Sequence, residues 1–147
     1  MSEFVKGLFV TTVGLWAGAG IFFSMVTLPT LFLNLETSAA GQTAALLFPG
    51  YYAFGLGVGS LLLIAVLLLL RSGTRAWYAV VFAVALALSC QAYAASSVRP
   101  RMSELRGDPG GIGEFQRLHR LSVRLNAVVL VVTVTLLGAS ARLIKTR

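Results

Sequence analysis

The sequence predicts an all-α fold: a polytopic membrane four-helix bundle, forming a single integral membrane domain over residues 1–147. Three observations predict it. Four apolar runs, at residues 7–33, 48–70, 76–96 and 121–141, each meet or approach the roughly 20 helical residues that cross a hydrocarbon core of about 30 Å. None of the 12 basic and five acidic residues falls inside the first three runs, and charged residues make up only 12% of the chain. Soluble domains carry about 25% charged residues, so the deficit is what lipid-facing surface requires. Finally, blocks such as LLLIAVLLLL (61–70) do not alternate as barrel strands do. Backbone groups at mid-bilayer must then bond within their own segment, as helices.

The first run begins like a signal peptide, with Lys6 ahead of it and Ala17-Gly18-Ala19 as a loose cleavage site. Its apolar stretch continues through Phe22, Met25 and Leu28, past an h-region of about 7–15 residues, so a retained helix is expected. A first connection follows at 34–47. The second and third runs are joined only by RSGTR (71–75), which makes them antiparallel neighbours. Trp77 and Tyr78 suit an interfacial aromatic anchor at the start of the third helix. Cys90, the single cysteine, rules out an internal disulfide and reads as a small apolar filler. Pro100 is expected to kink or end that helix, a short helix is expected over 101–106, and GDPGG (107–111) marks a turn. The 97–120 connection is the one substantial polar segment.

The fourth run carries the sharpest pattern. His119, Ser122 and Asn126 share one helix face, with Thr133 deeper on it, while Arg117, Arg120 and Arg124 lie about 160° away. The cations are expected to snorkel towards headgroups, which turns the His/Ser/Asn face into the bundle. A polar stripe entering a membrane helix is a functional-site hypothesis by default. Partners at the same end are Ser24 and Thr27, Glu36 and Gln42 of the first connection, Tyr51 and Tyr52 as an aromatic gate beside Pro49, and Gln91. Two readings stand: a structural interhelical network, or a polar pocket.

Small residues recur at four-residue spacing, as Gly14/Gly18, Gly55/Gly59 and Ala79/Ala83/Ala87. Such spacing lets backbones approach, either inside one bundle or between copies in a homo-oligomer. The net charge of +7 sits at helix ends, where a lipid bilayer explains it and nucleic acid is not expected as a partner. Lys6, Arg71, Arg75, Arg142, Lys145 and Arg147 face six arginines on the other side, a tie. The first connection has no Lys or Arg and the first helix weighs heavily, so both termini are expected in the cytoplasm of a bacterial inner membrane.

Catalytic patterns are missing: no GxSxG, no HExxH and no second histidine, so the protein is expected not to be an enzyme. No cofactor and no metal site are expected either. Met25, Met102, Cys90 and His119 share no ligand spacing, and a haem- or copper-binding redox protein stays the minor alternative.

Several residue groups look familiar in combination: Leu28-Pro29-Thr30-Leu31-Phe32, Ala40-Gly41, Leu47-Phe48-Pro49, Tyr51-Tyr52, Phe115, Leu118-His119, Ser122 and Asn126. In order and spacing they resemble the transmembrane protein 205-like family of small four-helix membrane proteins. The resemblance implies an integral membrane fold over the whole chain and no defined reaction; the eukaryotic namesake is associated with platinum-drug resistance and secretory traffic. The chain is loosely similar to copper-resistance D-type proteins too, but has too few histidines for their metal path. The resulting expectation is small-solute or metal-related transport or tolerance through a polar pocket. The alternative is an assembly protein docking through Gly14/Gly18 or Gly55/Gly59.

Overall fold

The helices are longer than the apolar runs that predict them. In the computed structural model, which describes residues 3–71 and 75–144, α1 spans Glu3–Asn34, α2 Thr37–Leu70, α3 Ala76–Glu104 and α4 Ile112–Leu143. Lys145, Arg147 and the middle of the RSGTR connection lie outside the described residues. At 29–34 residues the helices are about 44–51 Å long, against a hydrocarbon core of about 30 Å. The surplus is polar and lies mostly at the end away from the termini, as Thr37, Ser38 and Gln42 on α2, Arg99 and Arg101 on α3, and Glu114, Arg117 and Arg120 on α4. Hydropathy marks the oil and misses this overhang.

Two expected connections therefore shrink. The one at 34–47 is only residues 35 and 36, where extended Leu35 donates its N–H to Leu31 O at 2.9 Å and α2 restarts with Ala40 N–H to Glu36 O at 2.8 Å. Of 97–120, only 105–111 lies outside the long helices α3 and α4. There Gly107 adopts φ +88, which costs a glycine little, and Asp108 accepts from Gly110 N at 2.9 Å to start a short 3₁₀ turn, Pro109–Gly111. Arg101 fastens this end. It donates to both carboxylate oxygens of Glu114 (2.9 and 3.2 Å) and to Glu104 (3.0 Å), tying α3 to α4.

Pro100 does not end α3. Both α1 and α3 absorb a proline by widening the turn before it: π segments occupy Phe22–Thr27 ahead of Pro29 and Ala94–Val98 ahead of Pro100. Proline lacks the N–H for its own bond and its ring clashes with the carbonyl four residues back. The wider turn relieves this by five-residue bonds, Leu28 N–H to Phe23 O and Arg99 N–H to Ala94 O. Pro49 lies inside α2 with its ring exposed, and the helix continues through it.

The chain packs as an up-down-up-down square: α1 on α2, α2 on α3, α3 on α4, and α4 back on α1. Both described ends lie together, since Glu3, Lys6 and Ile144 line one shallow depression. The core of that half is Phe9 and Val13 of α1, Leu62, Val66 and Leu69 of α2, Trp77 and Val84 of α3, and Leu136 of α4. Trp77 is a correction to the sequence reading. It is fully buried, edge-on to Phe9 with ring centroids 5.3 Å apart, while its neighbour Tyr78 is exposed as an interfacial residue would be. Outside this core the surface is apolar: Phe82 is 71% exposed, Val131 65%, Ile64 53% and Leu61 51%. Monomeric soluble proteins do not expose patches of this extent, and the protein is a multi-pass membrane protein.

Candidate functional site

Polar side chains converge in the half of the bundle away from the termini, in two connected layers. In the outer layer, the Tyr51 hydroxyl of α2 donates to Asn126 Oδ1 of α4 at 2.7 Å. The amide nitrogen of Asn126 donates to Ser24 Oγ of α1 at 2.9 Å. Tyr52 and Ser122 face each other with oxygens 3.4 Å apart. Three helices are thus joined through neutral groups alone.

Why these residues meet follows from local structure. Tyr51 and Tyr52 are adjacent on α2, about 100° apart, so one reaches the α1–α4 seam while the other turns towards α4 and α3. Ser24 sits in the π segment, where the wider turn brings it and Phe23 to the inside of α1. Phe23 stacks on Tyr51 (4.3 Å between centroids, 8° between planes) and Phe48 stacks on Tyr52 at 5.5 Å. The expected gate beside Pro49 is therefore a four-ring cluster that aims two hydroxyls at α4.

One layer deeper, Gln91 of α3 is 2% exposed. Its side-chain oxygen accepts from the Trp16 indole at 2.9 Å, and its amide nitrogen lies 3.5 Å from the Tyr52 carbonyl. This bond crosses the bundle between diagonally opposite helices, and glycines make room for it. A Cβ at Gly55 would fall on the Gln91 amide, and one at Gly59 would come within 2.7 Å of both the Trp16 ring and Leu88. Gly55 and Gly59 are thus spent inside the bundle and do not form the docking face considered from sequence. Gly14 has only Leu137 near it at 3.9 Å, and exposed Gly18 has open space.

Of the residues singled out from sequence, Ser122, Asn126, Tyr51, Tyr52 and Gln91 come together, while His119, Glu36 and Gln42 stay outside. His119 is exposed, a correction with a geometric cause: it lies about 80° around α4 from buried Val129, on the flank of the inward face. Glu36 is exposed just ahead of α2 without a side-chain capping bond, and Gln42 is exposed on the overhang. Trp16 and Phe23 were missed, whereas Phe48 stood among the residues that carry the family resemblance. A signal existed for Trp16: an indole N–H in the middle of an apolar run needs an acceptor, and Gln91 is a mid-run amide in need of a donor.

The arrangement offers hydroxyls and amides, with no carboxylate in either layer. Among the described residues no three of His, Cys, Asp and Glu lie together in a way that could hold a metal ion. Two open surface depressions lie elsewhere, of about 400 Å³ beside Glu3 and Ile144 and about 570 Å³ around Leu105 and Ile112, and neither is lined by the tyrosine–asparagine group.

A family model described as a domain of unknown function, DUF4149, matches residues 11–108. The chain belongs to the DUF4149 family. No curated protein and no solved structure matches it. The DUF4149 match takes in the whole α1–α2–α3 side of the site: Trp16, Ser24, Tyr51, Tyr52, Gly55, Gly59 and Gln91. It ends at Asp108, so Ser122 and Asn126 complete the site from the part of the chain beyond the matched stretch.

Proposed function

We propose that this DUF4149 protein is a non-enzymatic membrane protein that passes a small, neutral, polar solute along the seam of α1, α2 and α4, and that it is a transmembrane protein 205-like member of its family. The observation that carries this reading is the Ser24–Asn126–Tyr51 chain of hydrogen bonds in partly buried positions. Polar side chains at membrane depth are costly and cluster where solutes pass. Each hydroxyl here can both donate and accept, so a solute with the same groups replaces one bond by another without stranding a partner. The π segment beside Ser24 supports the reading, because such single-turn bulges recur at functional sites. A metal ion is a poorer match than a neutral solute, since the soft donor Met25 points outward at 65% exposure and His119 is exposed. We place both termini in the cytoplasm of a bacterial inner membrane, on the weight of the first helix and the cation-free first connection.

The test is stopped-flow light scattering of proteoliposomes, with glycerol and urea as probes. The expected result is solute entry faster than in protein-free vesicles, reduced in Tyr51→Phe and Asn126→Leu variants that still elute as folded protein. Entry at the protein-free rate for both probes overturns the reading.

A further inference from the structure

The outward face of α4 carries a second pattern that the polar seam does not use. Arg117, Arg120, Arg124, Val128, Val131 and Thr135 are all exposed and fall within a sector of about 80°, centred about 140° from buried Val129. The stripe is cationic over its first two turns and apolar below, with Val128 36% and Val131 65% exposed. Arg124 stands one turn above Val128, so the change from charge to oil occurs on a single helix face.

Two carboxylates at this end of the bundle are already engaged. Glu114 and Glu104 are held by Arg101, and Arg117 lies within electrostatic reach of Glu114. Among the described residues, Arg120 and Arg124 form no ion pair. Two guanidinium groups without a counter-charge, at the edge of the bilayer, present donors suited to phosphate oxygens.

We infer that this face of α4 binds an anionic phospholipid, its phosphate and headgroup on Arg120 and Arg124 and an acyl chain along Val128 and Val131. The continuity of the two halves selects a lipid over a soluble anion. A free phosphate would meet the arginines and leave the valine stripe without a role, and a zwitterionic lipid brings its own cation to an already cationic surface. Juxtamembrane arginines attract anionic lipids with an affinity that adds residue by residue.

The test uses the purified full chain in neutral detergent, titrated with dioleoyl phosphatidylglycerol and followed by native mass spectrometry. Dioleoyl phosphatidylcholine and inorganic phosphate serve as parallel probes. Saturable binding of phosphatidylglycerol alone is expected. The Arg120→Gln/Arg124→Gln double variant should bind it about thirtyfold more weakly, while Arg71→Gln/Arg75→Gln, at the opposite end, should bind as the parent does. In the unaltered protein, raising the salt concentration to about 0.5 M should weaken binding, which keeps the test independent of any variant's folding. Equal binding of phosphatidylcholine, binding of inorganic phosphate as tight as that of the lipid, an equal loss in Arg71→Gln/Arg75→Gln, or insensitivity to salt overturns the assignment.

Discussion

The Trp16 indole nitrogen donates to the Gln91 side-chain oxygen over 2.9 Å, across the centre of the bundle from α1 to α3. Diagonal helices of a square bundle are normally too far apart for this; the notch left by Gly55 and Gly59 admits both side chains. Gln91→Leu leaves a buried N–H without an acceptor, a loss of about 1–3 kcal/mol. Trp16→Phe in that background should restore part of it. A double-mutant cycle in bicelles is expected to give a coupling near 0.6 kcal/mol and no more than about 1.7, the range of interhelical bonds in membranes.

The glycines separate by what they face. Gly59→Ala pushes a methyl into the Trp16 ring and Leu88, an overpacking that should cost about 1–3 kcal/mol. Gly18→Ala meets nothing and removes a flexible residue from a helix interior, so it should gain about 0.5–1 kcal/mol. Thermal unfolding in detergent gives the signs. Size-exclusion chromatography should show the same elution for both, because Gly59 packs within one chain.

The tyrosine–asparagine seam should respond in a set order. Tyr51→Phe keeps the ring stacked on Phe23 and cuts one bond, for about 0.6 kcal/mol. Asn126→Ala cuts two, to Tyr51 and to Ser24, and should cost about twice that. Phe23→Ala empties a ring-sized space against Tyr51 and Phe48 and should cost the most, about 3–5 kcal/mol. His119→Ala should change nothing measurable, because the imidazole is exposed. Unfolding midpoints that rank Tyr51→Phe above Phe23→Ala in cost would remove the ring cluster as the support of the site.

How much of this was legible follows from which physical signal each feature leaves. The four spans were plain, because oil-facing surface must be apolar for its whole depth. Helix ends were not, since Gln42, Arg99 and Arg117 are as polar as loop residues yet continue helices beyond the bilayer. Ser122 and Asn126 could be read from spacing alone, but the same spacing included His119. A three-residue stripe at i, i+3 and i+7 itself spans about 60° of the helix, and the edge of that sector fell outside the packing. The role of Gly55 depended on a residue of another helix, Gln91, and spacing within α2 carries no trace of that partner. The π segments had a signal in Pro29 and Pro100, though proline announces a disruption without saying that the helix survives it.

That survival yields the last expectation. A π turn inserts the equivalent of one residue, so converting it to α-helix rotates everything on one side by about 100° relative to the other. Pro29→Ala restores the missing N–H and removes the clash with the carbonyl four residues back, which favours the regular helix. Where that rotation is taken up at Ser24, it would leave the inner face and its bond to Asn126 would break. Oxidative cross-linking of Ser24→Cys with Asn126→Cys measures the contact directly. A high yield is expected with Pro29 present and a several-fold lower one with Pro29→Ala. An unchanged yield would mean that the packing of Phe23 against Phe48 and Tyr51, rather than the proline, holds the turn open.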